Sequence, residues 1–168
     1  MNFECLNCCD CCKNLLRREK GFLHSLSLFP DETHLFPSDH VFPQLGIGPY
    51  GGAKRILLYQ LGLDTCPHLQ GRSCAIYDKR PLACRSYPFL LEAIEPYRIT
   101  VEEHCRWFRE KVVASGLSKK VLTSKEWIVA PDEIKACWEL FERLKEFQKE
   151  QGKWRFDLNV KAWYRPSS

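Results

Sequence analysis

The clearest hydrophobic periodicity lies in the last third of the chain. Between Asp132 and Gln151, apolar residues recur every three or four positions, which is typical of one face of an amphipathic helix. Gly152 is expected to end this helix. Apolar and polar residues then alternate strictly from Trp154 to Ala162, and this period of two predicts a half-buried strand. The apolar face of the helix consists of Ile134, Cys137, Trp138, Phe141 and Leu144.

Shorter elements are predicted before this region. Residues 54–63 combine β-branched, aromatic and leucine side chains, which favours a buried strand. Residues 21–52 are rich in Phe, Pro, Gly and His and are expected to be mostly loop, with one short helix starting at Pro30. Residues 102–115 predict a helix that Gly116 ends. The residues that share one face of this helix are Cys105, Phe108 and Val112.

The middle of the chain carries the strongest turn signals. Gly71 lies between Cys66 and Cys74, so a small hairpin is expected there. A proline suits the first turn of a helix, and residues 80–85 therefore predict a short helix, which Pro88 would stop.

Together these elements predict an α+β fold in a small single domain. Its dense cysteines, at CxxC spacing within residues 5–12, further predict that the domain is organised around a cysteine-bound metal or iron–sulfur site. Residues 89–101, with a bend at Glu95-Pro96, add strand and turn to the predicted core. If the chain has an internal boundary, it is expected near residue 115. Residues 1–115 would then form the cysteine-cluster module, and residues 116–168 a helix–strand extension that packs on it.

Ten cysteines in 168 residues change this ordinary picture. The first residues carry neither a basic nor an apolar signal region, and no apolar stretch is long enough to span a bilayer. The sequence therefore predicts a cytoplasmic protein with reduced thiols and no membrane association. In that setting a dense cysteine pattern favours metal binding over disulfides.

The formal charge of +4 does not indicate nucleic-acid binding. Basic and acidic residues are interleaved, and the basic runs, such as Arg17-Arg18, are only two residues long, too short for a phosphate-binding stripe. Eight ligand thiolates and two divalent ions would cancel the positive excess. The partner prediction is therefore no nucleic acid, no membrane, and an unidentified protein partner left open.

The candidate chemistry lies in two groups of cysteines. Five cysteines occur within the eight residues 5–12, and CxxC spacing lets one turn of backbone direct two sulfurs at one ion. Because Cys11 and Cys12 are adjacent, their side chains are expected to diverge, so that one of them faces the second group. That second group, Cys66, Cys74, Cys84 and Cys105, spreads over 40 residues.

These cysteines and their neighbours resemble the CxxCxxCC cysteine-cluster family, described as a zinc- or iron-chelating domain. The family pattern is roughly F-x-C-x-x-C-G-x-C-C, then C-P-x-L, C-x-I-Y, R-P-x-x-C-R and an aromatic residue before proline. The chain departs from it at Cys9, where the family usually has glycine, so either the local turn differs or a ligand is added. The matching positions are Phe3, Cys5, Cys8, Cys11, Cys12, Cys66, Pro67, Leu69, Cys74, Ile76, Tyr77, Arg80, Pro81, Cys84, Arg85, Tyr87 and Pro88.

The resemblance implies a metal or iron–sulfur centre. The expected cofactor is a [4Fe–4S] cluster or iron, with zinc as the alternative, in one or two centres. Some relatives are associated with lysine methylation of flagellin, so a metal-dependent lysine N-methyltransferase is one alternative function, although no methyl-donor site is identifiable. An electron carrier or metal-delivery protein is another. The predicted ligands are Cys5, Cys8, Cys11, Cys12, Cys66, Cys74, Cys84 and Cys105.

The remaining candidates have supporting or purely structural roles. Four residues are expected to surround the ligands, the arginines offsetting thiolate charge and the tyrosines packing over the site. Cys137 lies on the helical apolar stripe and predicts a buried core thiol. Cys9 is left open between spare thiol and ligand, and His68 and His104 are weaker ligand candidates. The four surrounding residues are Arg80, Arg85, Tyr77 and Tyr87.

Overall fold

The structure is a computed structural model, and it describes residues 2–92, 98–116 and 130–165. The chain divides into two compact units, each assembled from two separate stretches of sequence. Unit 1 comprises Met1–Cys12 and His68–Glu142, and unit 2 comprises Lys13–Pro67 and Arg143–Ser168. The predicted division near residue 115 stays a prediction.

Short strands and two α-helices make up most of the regular structure. The strands are β1 (Arg17–Glu19), β2 (Phe22–His24), β3 (Ser27–Leu28), β4 (Val41–Ile47), β5 (Arg55–Leu61), β6 (Leu69–Gln70), β7 (Ser73–Cys74), β8 (Phe89–Glu92), β9 (Arg98–Val101), β10 (Lys153–Asp157) and β11 (Ala162–Tyr164). The helices are α1 (Leu82–Ser86) and α2 (Pro131–Gln148). The predicted α+β class, with a C-terminal helix followed by a strand, is confirmed.

Unit 2 is built on an antiparallel five-stranded sheet with the order β11-β10-β4-β5-β3. The predicted strand at residues 54–63 is confirmed as β5. The prediction that residues 21–52 are mostly loop is wrong for β4, which contains Pro43 and Gly46 and therefore gives no clear strand pattern. Gly46 is required there, because an added Cβ would come within 2.8 Å of the Trp163 ring. A short 3₁₀ helix does begin at Pro30, as predicted.

A fully buried glutamine ties four segments of this sheet unit together. The Gln60 side chain is 0% exposed. Its Oε1 accepts the Ser25 N–H at 3.1 Å, and its Nε2 donates to the Pro43 and Phe156 carbonyls at 2.7 and 3.2 Å. The strand register shifts next to Pro43, between it and Leu45. Gln60 thus satisfies backbone groups that the irregular ladder leaves without strand partners.

The prediction of one continuous strand from Trp154 to Ala162 is wrong beyond Asp157. The chain turns there and returns as β11, which pairs antiparallel with β10. The buried Asp157 carboxylate causes the turn by accepting the Asn159 N–H at 2.8 Å. Val160, which the alternation places on the buried face, is consequently 51% exposed.

Unit 1 contains two small hairpins and α1. The hairpin predicted between Cys66 and Cys74 is confirmed as β6–β7, with Gly71 at a φ of 59°. The strands β8 and β9 form the second hairpin, and the predicted bend at Glu95-Pro96 lies outside the described residues. The short helix predicted at residues 80–85 is α1, which begins directly after Pro81.

The helical segment that follows Cys105 and the helix α2 contribute the remaining residues of the hydrophobic cluster of unit 1. The helix predicted at residues 102–115 begins four residues late, because residues 102–105 form a turn in which the Cys105 N–H donates to the Glu102 carbonyl. It is π-helical at Phe108–Val112 and 3₁₀ at Val113–Ser115, and Gly116 ends it with a φ of 73°. The buried members of the cluster are Phe89, Val101, Cys105, Trp107, Phe108, Val112, Ala130 and Cys137.

The long helix α2 lies close to its prediction but ends earlier. It stops at Gln148, three residues before the predicted end at Gln151. Cys137 and Phe141 of the apolar stripe are buried, whereas Trp138 at its margin is 37% exposed. The buried face of α2 is therefore narrower than the apolar stripe in the sequence predicts.

Candidate metal centre

A tight turn organises the N-terminal cysteines. Asp10–Cys12 form one turn of 3₁₀ helix, and the Cys12 N–H donates to the Cys9 carbonyl at 3.0 Å. The turn brings the sulfurs of Cys11 and Cys12 to 4.0 Å from each other. The expectation that these adjacent side chains diverge is therefore wrong, because the tight turn rotates both toward the same side.

Cys9 occupies a backbone conformation that normally favours glycine. Its φ is +63°, in the left-handed region. This explains why the cysteine-cluster pattern has glycine at the position, since the turn is kept and only its residue differs. The Cys9 side chain is buried at 8% exposure, and its sulfur lies 3.7 Å from the Asn7 carbonyl oxygen, to which it donates.

An aromatic anchor holds the cysteine segment on unit 1. The Phe3 ring packs edge-on against Phe89 and Trp107, with centroid separations of 5.5 and 5.0 Å. Phe3 and Leu6 both contact the hydrophobic cluster that contains Cys105. The aromatic residue two positions before the first cysteine therefore seats the N-terminal thiols beside a cysteine about 100 residues away in sequence.

Cys105 is the buried thiol of this neighbourhood. It lies immediately before the helical segment that begins at Arg106 and is 6% exposed. Burial raises the pKa of its thiol, and backbone hydrogen bonds from Phe108 and Trp107 oppose that rise. Negative charge on Cys8 and Cys11, when those thiols are ionised, raises the pKa further to a smaller extent. Because Phe3 and Leu6 pack against the cluster that contains Cys105, the N-terminal segment lies beside this thiol.

Cys11 has the opposite electrostatic character. A hydrogen bond with the Cys12 thiol lowers the pKa of Cys11 from 9.0 to about 7, with smaller contributions from a backbone hydrogen bond and the positive charge of Arg80. Burial and the Asp10 carboxylate act against this change. A thiol with a pKa near neutrality is substantially ionised at pH 7, and the thiolate is the form that binds metal.

Two arginines that follow Cys105 attach its helix to the N-terminal turn. Asp10 lies 3.6 Å from Arg106 and 3.3 Å from Arg109, measured between carboxylate oxygens and guanidinium nitrogens. Sequence reasoning missed Asp10 and Arg109. The only available signal was the spacing of the two arginines, three apart on one helical face, with an acidic residue inside the cysteine cluster.

The other predicted ligands occupy separate elements. Cys74 lies in β7 and Cys84 in α1, both with intermediate exposure. Cys66 is buried and belongs to unit 2, two residues before the chain enters unit 1. Whether these three join the N-terminal sulfurs stays a prediction.

Of the four residues predicted to surround the ligands, Arg80 and Tyr77 contact each other, whereas Arg85 and Tyr87 have other partners. The Arg80 guanidinium lies 3.6 Å above the Tyr77 ring, and its Nε donates to the Tyr77 carbonyl at 2.8 Å. Through its charge this Arg80 acts on Cys11, as described above. Arg85 instead pairs with Glu139 at 3.8 Å, and Tyr87 packs against the hydrophobic cluster.

Three weaker candidates remain, and the ligand roles of His68 and His104 stay predictions. Cys137 is 2% exposed within the hydrophobic cluster, and burial raises the pKa of its thiol to about 11, so the predicted core thiol is confirmed. His104 is exposed and bonds to Glu102 at 2.6 Å. The backbone carbonyl of His68 accepts the Ala75 N–H next to the β6–β7 hairpin.

The cysteine thiols of unit 1 are suitable ligands for a soft metal ion, although the described side chains do not surround one common ion position. All ten cysteines are thiols outside any disulfide. The 4.0 Å separation of the Cys11 and Cys12 sulfurs is close to the ~3.8 Å edge of a tetrahedron with zinc–sulfur bonds of about 2.3 Å. Among the described residues, however, no three His, Cys, Asp or Glu side chains form a group that could hold a metal. The remaining ligands would have to close around the ion on binding.

Fold and site together define a cysteine-rich α+β protein with the donor atoms of a thiolate metal chelator. The chain belongs to the CxxCxxCC family, whose model, described as a "putative zinc- or iron-chelating domain", matches residues 4–106. The comparisons with curated proteins and with solved structures gave no significant match. No helix within the described ranges has the length and apolar character needed to cross a bilayer.

Proposed function

We propose that this chain binds iron or zinc through cysteine thiolates of unit 1, in a reducing, cytoplasmic setting. One observation carries the proposal: the Cys11 and Cys12 sulfurs lie 4.0 Å apart in a segment that Phe3 and Leu6 anchor on the hydrophobic cluster containing the buried Cys105. Unpaired thiolates repel one another, so a cation between them would remove that repulsion. The dense cysteine pattern, which is typical of metal binding in a reducing compartment, supports this setting.

The core of the proposed ligand set is Cys8, Cys11, Cys12 and Cys105. Cys11 and Cys12 are separated by a distance that suits one shared ion, which favours a mononuclear thiolate site. Cys5 is one CxxC turn from Cys8 and is the nearest reserve ligand in sequence. The predicted ligands Cys74 and Cys84 would serve a second centre, and Cys66 stays a predicted ligand. A bound ion would supply charge neutralisation and a covalent cross-link between distant segments, and thereby stabilise the fold.

An iron–sulfur cluster is the second candidate, because eight cysteines at family spacing exceed what one ion needs and a [4Fe–4S] cluster takes four thiolates. The two candidates differ in colour and in iron and sulfide content. Protein purified without oxygen is therefore analysed for iron, zinc and acid-labile sulfide, with an absorption spectrum before and after dithionite. One ion per chain without sulfide supports the mononuclear site, and sulfide with a bleachable visible band supports the cluster.

Matched variants assign the ligands. Cys105→Ser and Cys11→Ser are each expected to lose metal, whereas Cys137→Ser, which alters a core thiol, is expected to keep it. Full metal content in both Cys105→Ser and Cys11→Ser would contradict the proposed centre. Binding of S-adenosylmethionine, measured by calorimetry, would instead favour the alternative of a metal-dependent modifying enzyme.

A further inference from the structure

Two adjacent thiols of unit 1 lie close together on an exposed turn. The Cys11 and Cys12 sulfurs are 4.0 Å apart, Cys11 is exposed to solvent, and Cys12 has intermediate exposure. The 3₁₀ turn that carries them, Asp10–Cys12, has no buried residues. A small oxidant in solvent can therefore reach Cys11, and a second sulfur lies beside it to react with the product.

Contacts with the rest of unit 1 hold this turn in place. The Cys12 N–H donates to the Cys9 carbonyl at 3.0 Å, and the Asp10 carboxylate lies 3.6 Å from Arg106 and 3.3 Å from Arg109. A disulfide requires a sulfur–sulfur distance of about 2.0 Å, so each sulfur would have to move by about 1 Å. Rotation of the two side chains can supply this movement while the backbone turn is kept.

The other thiols of known environment in unit 1 are less open to such a reaction. Cys9 is 8% exposed, and its sulfur donates to the Asn7 carbonyl. Cys105 and Cys137 are buried at 6% and 2% exposure. Cys5 is exposed as well, and it is therefore the thiol that a test has to separate from Cys11.

We propose that Cys11 and Cys12 form a reversible disulfide when hydrogen peroxide or a related hydroperoxide oxidises the metal-free chain, and that this disulfide prevents metal uptake. The second part rests on the proposed function. A disulfide sulfur is not a thiolate, and the thiolate is the form that binds metal. Oxidation would therefore remove two of the proposed ligands together.

The reaction consumes one peroxide molecule per disulfide. The Cys11 thiolate attacks one peroxide oxygen, the O–O bond breaks, and hydroxide leaves and is protonated to water, so that Cys11 becomes a sulfenic acid. The Cys12 sulfur then attacks the Cys11 sulfur, the S–O bond breaks, and a second water leaves. The two thiols lose two electrons and two protons, and the peroxide is reduced to two waters.

The product would be easily reduced again. The α-carbons of adjacent residues are about 3.8 Å apart, whereas those of ordinary disulfides are about 4.4–6.8 Å apart, so this bond would be strained. Strained and exposed disulfides are the labile, regulatory ones, and in a reducing compartment such bonds are transient. The disulfide would therefore persist only while the oxidant is present.

The test uses the full chain, stripped of metal and reduced, with hydrogen peroxide as the oxidant. Remaining thiols are blocked with N-ethylmaleimide, the oxidised ones are reduced and labelled with iodoacetamide, and tandem mass spectrometry locates the second label. We expect this label on Cys11 and Cys12 together in the same chains, and its loss when reductant precedes the blocking step. A second label on Cys5 with Cys8, on Cys11 alone, or on no cysteine would overturn the proposal.

Matched serine variants test the order of the two steps. Cys12→Ser removes the second sulfur, so the sulfenic acid at Cys11 should persist and be trapped by dimedone. Cys5→Ser removes an exposed thiol from the same segment and should still form the disulfide, with little dimedone at Cys11. Equal trapping at Cys11 in both variants, or none in Cys12→Ser, would contradict the assignment.

Zinc uptake by the same samples separates the two proposals. The reduced chain is expected to bind zinc, and the oxidised chain is expected to lose this uptake and regain it after reduction. A reduced chain that takes up no zinc would refute the proposed function. Equal zinc uptake by the reduced chain and by the chain with the Cys11–Cys12 disulfide would refute the control of metal uptake alone.

Discussion

Replacing Cys9 by glycine and by alanine separates its backbone role from its sulfur. At an ordinary position alanine is more stable than glycine by about 0.5–1 kcal/mol, through backbone entropy. At the observed φ of +63°, a residue with a Cβ costs about 1–2 kcal/mol relative to glycine. The second effect is larger, so Cys9→Gly should be more stable than Cys9→Ala by about 0.5–1 kcal/mol. In a protein of this size that corresponds to about 1–4 °C in Tm.

The assay is thermal unfolding of both variants with zinc in the same fixed excess, together with zinc stoichiometry. Both variants lack the Cys9 sulfur, so any loss of ligation affects them equally and cancels in the comparison. Because that sulfur donates to the Asn7 carbonyl, we expect both variants to keep the metal content of the unaltered chain. A higher Tm for Cys9→Ala would refute the turn geometry, and loss of metal in both variants would identify Cys9 as a ligand.

Other consequences can be measured on the same preparations. Gln60→Leu leaves three backbone groups without their partner and should destabilise the fold by about 3–6 kcal/mol in urea unfolding. Gln44→Leu is the matched control and should change stability by less than about 1 kcal/mol, because the Gln44 Oε1 is buried without a hydrogen-bond partner. Removal of metal by EDTA should lower Tm by about 5–10 °C, for an ion present at about 100 times its Kd, and an unchanged Tm after verified removal would contradict a stabilising site. In the metal-free chain, iodoacetamide should label Cys11 with a midpoint near pH 7 and leave Cys137 unlabelled until the chain unfolds. Since folding lowers the pKa of Cys11, its contribution to metal-free stability should be complete above pH 9 and fade as the pH falls through 7, which urea midpoints across that range would detect.

Helices and strands with a long, regular hydrophobic pattern were predictable from the sequence. Elements whose position depends on a single polar contact were not. The helix α2 and the strand β5 follow directly from their apolar spacing. The turn after β10 could not be predicted, because the alternation of apolar residues continues through it and only the Asp157 carboxylate decides the reversal. The strand β4 is hidden for a related reason: it depends on Gln60 of a neighbouring strand to satisfy the Pro43 carbonyl.

At the candidate site the residue types were predictable, but their arrangement was not. Cysteine spacing predicts the ligands as a group, which stays a prediction, and Cys137 was assigned correctly to the core by its place on an apolar stripe. The direction of the Cys11 and Cys12 side chains was wrong, because it depends on a 3₁₀ turn that the left-handed Cys9 makes possible. Likewise, the pairing of Asp10 with Arg109 joins residues far apart in sequence that only the folded chain brings together.

The cysteines of the proposed centre are alike in their sequence spacing but differ in burial. This difference would affect how easily each thiolate leaves a bound ion. Metal affinity depends on every ligand, whereas the rate of exchange depends on the ligand that leaves most easily. If Cys105 is fixed in the hydrophobic cluster and Cys11 lies in an exposed turn, the two properties are governed by different residues. An adjacent pair suits the exposed side, because one sulfur can depart while its neighbour 4.0 Å away remains bound. Widely spaced exposed cysteines would lose hold of an ion whenever the first one left, so the vicinal pair would help to keep an ion bound on the exposed side of the proposed centre.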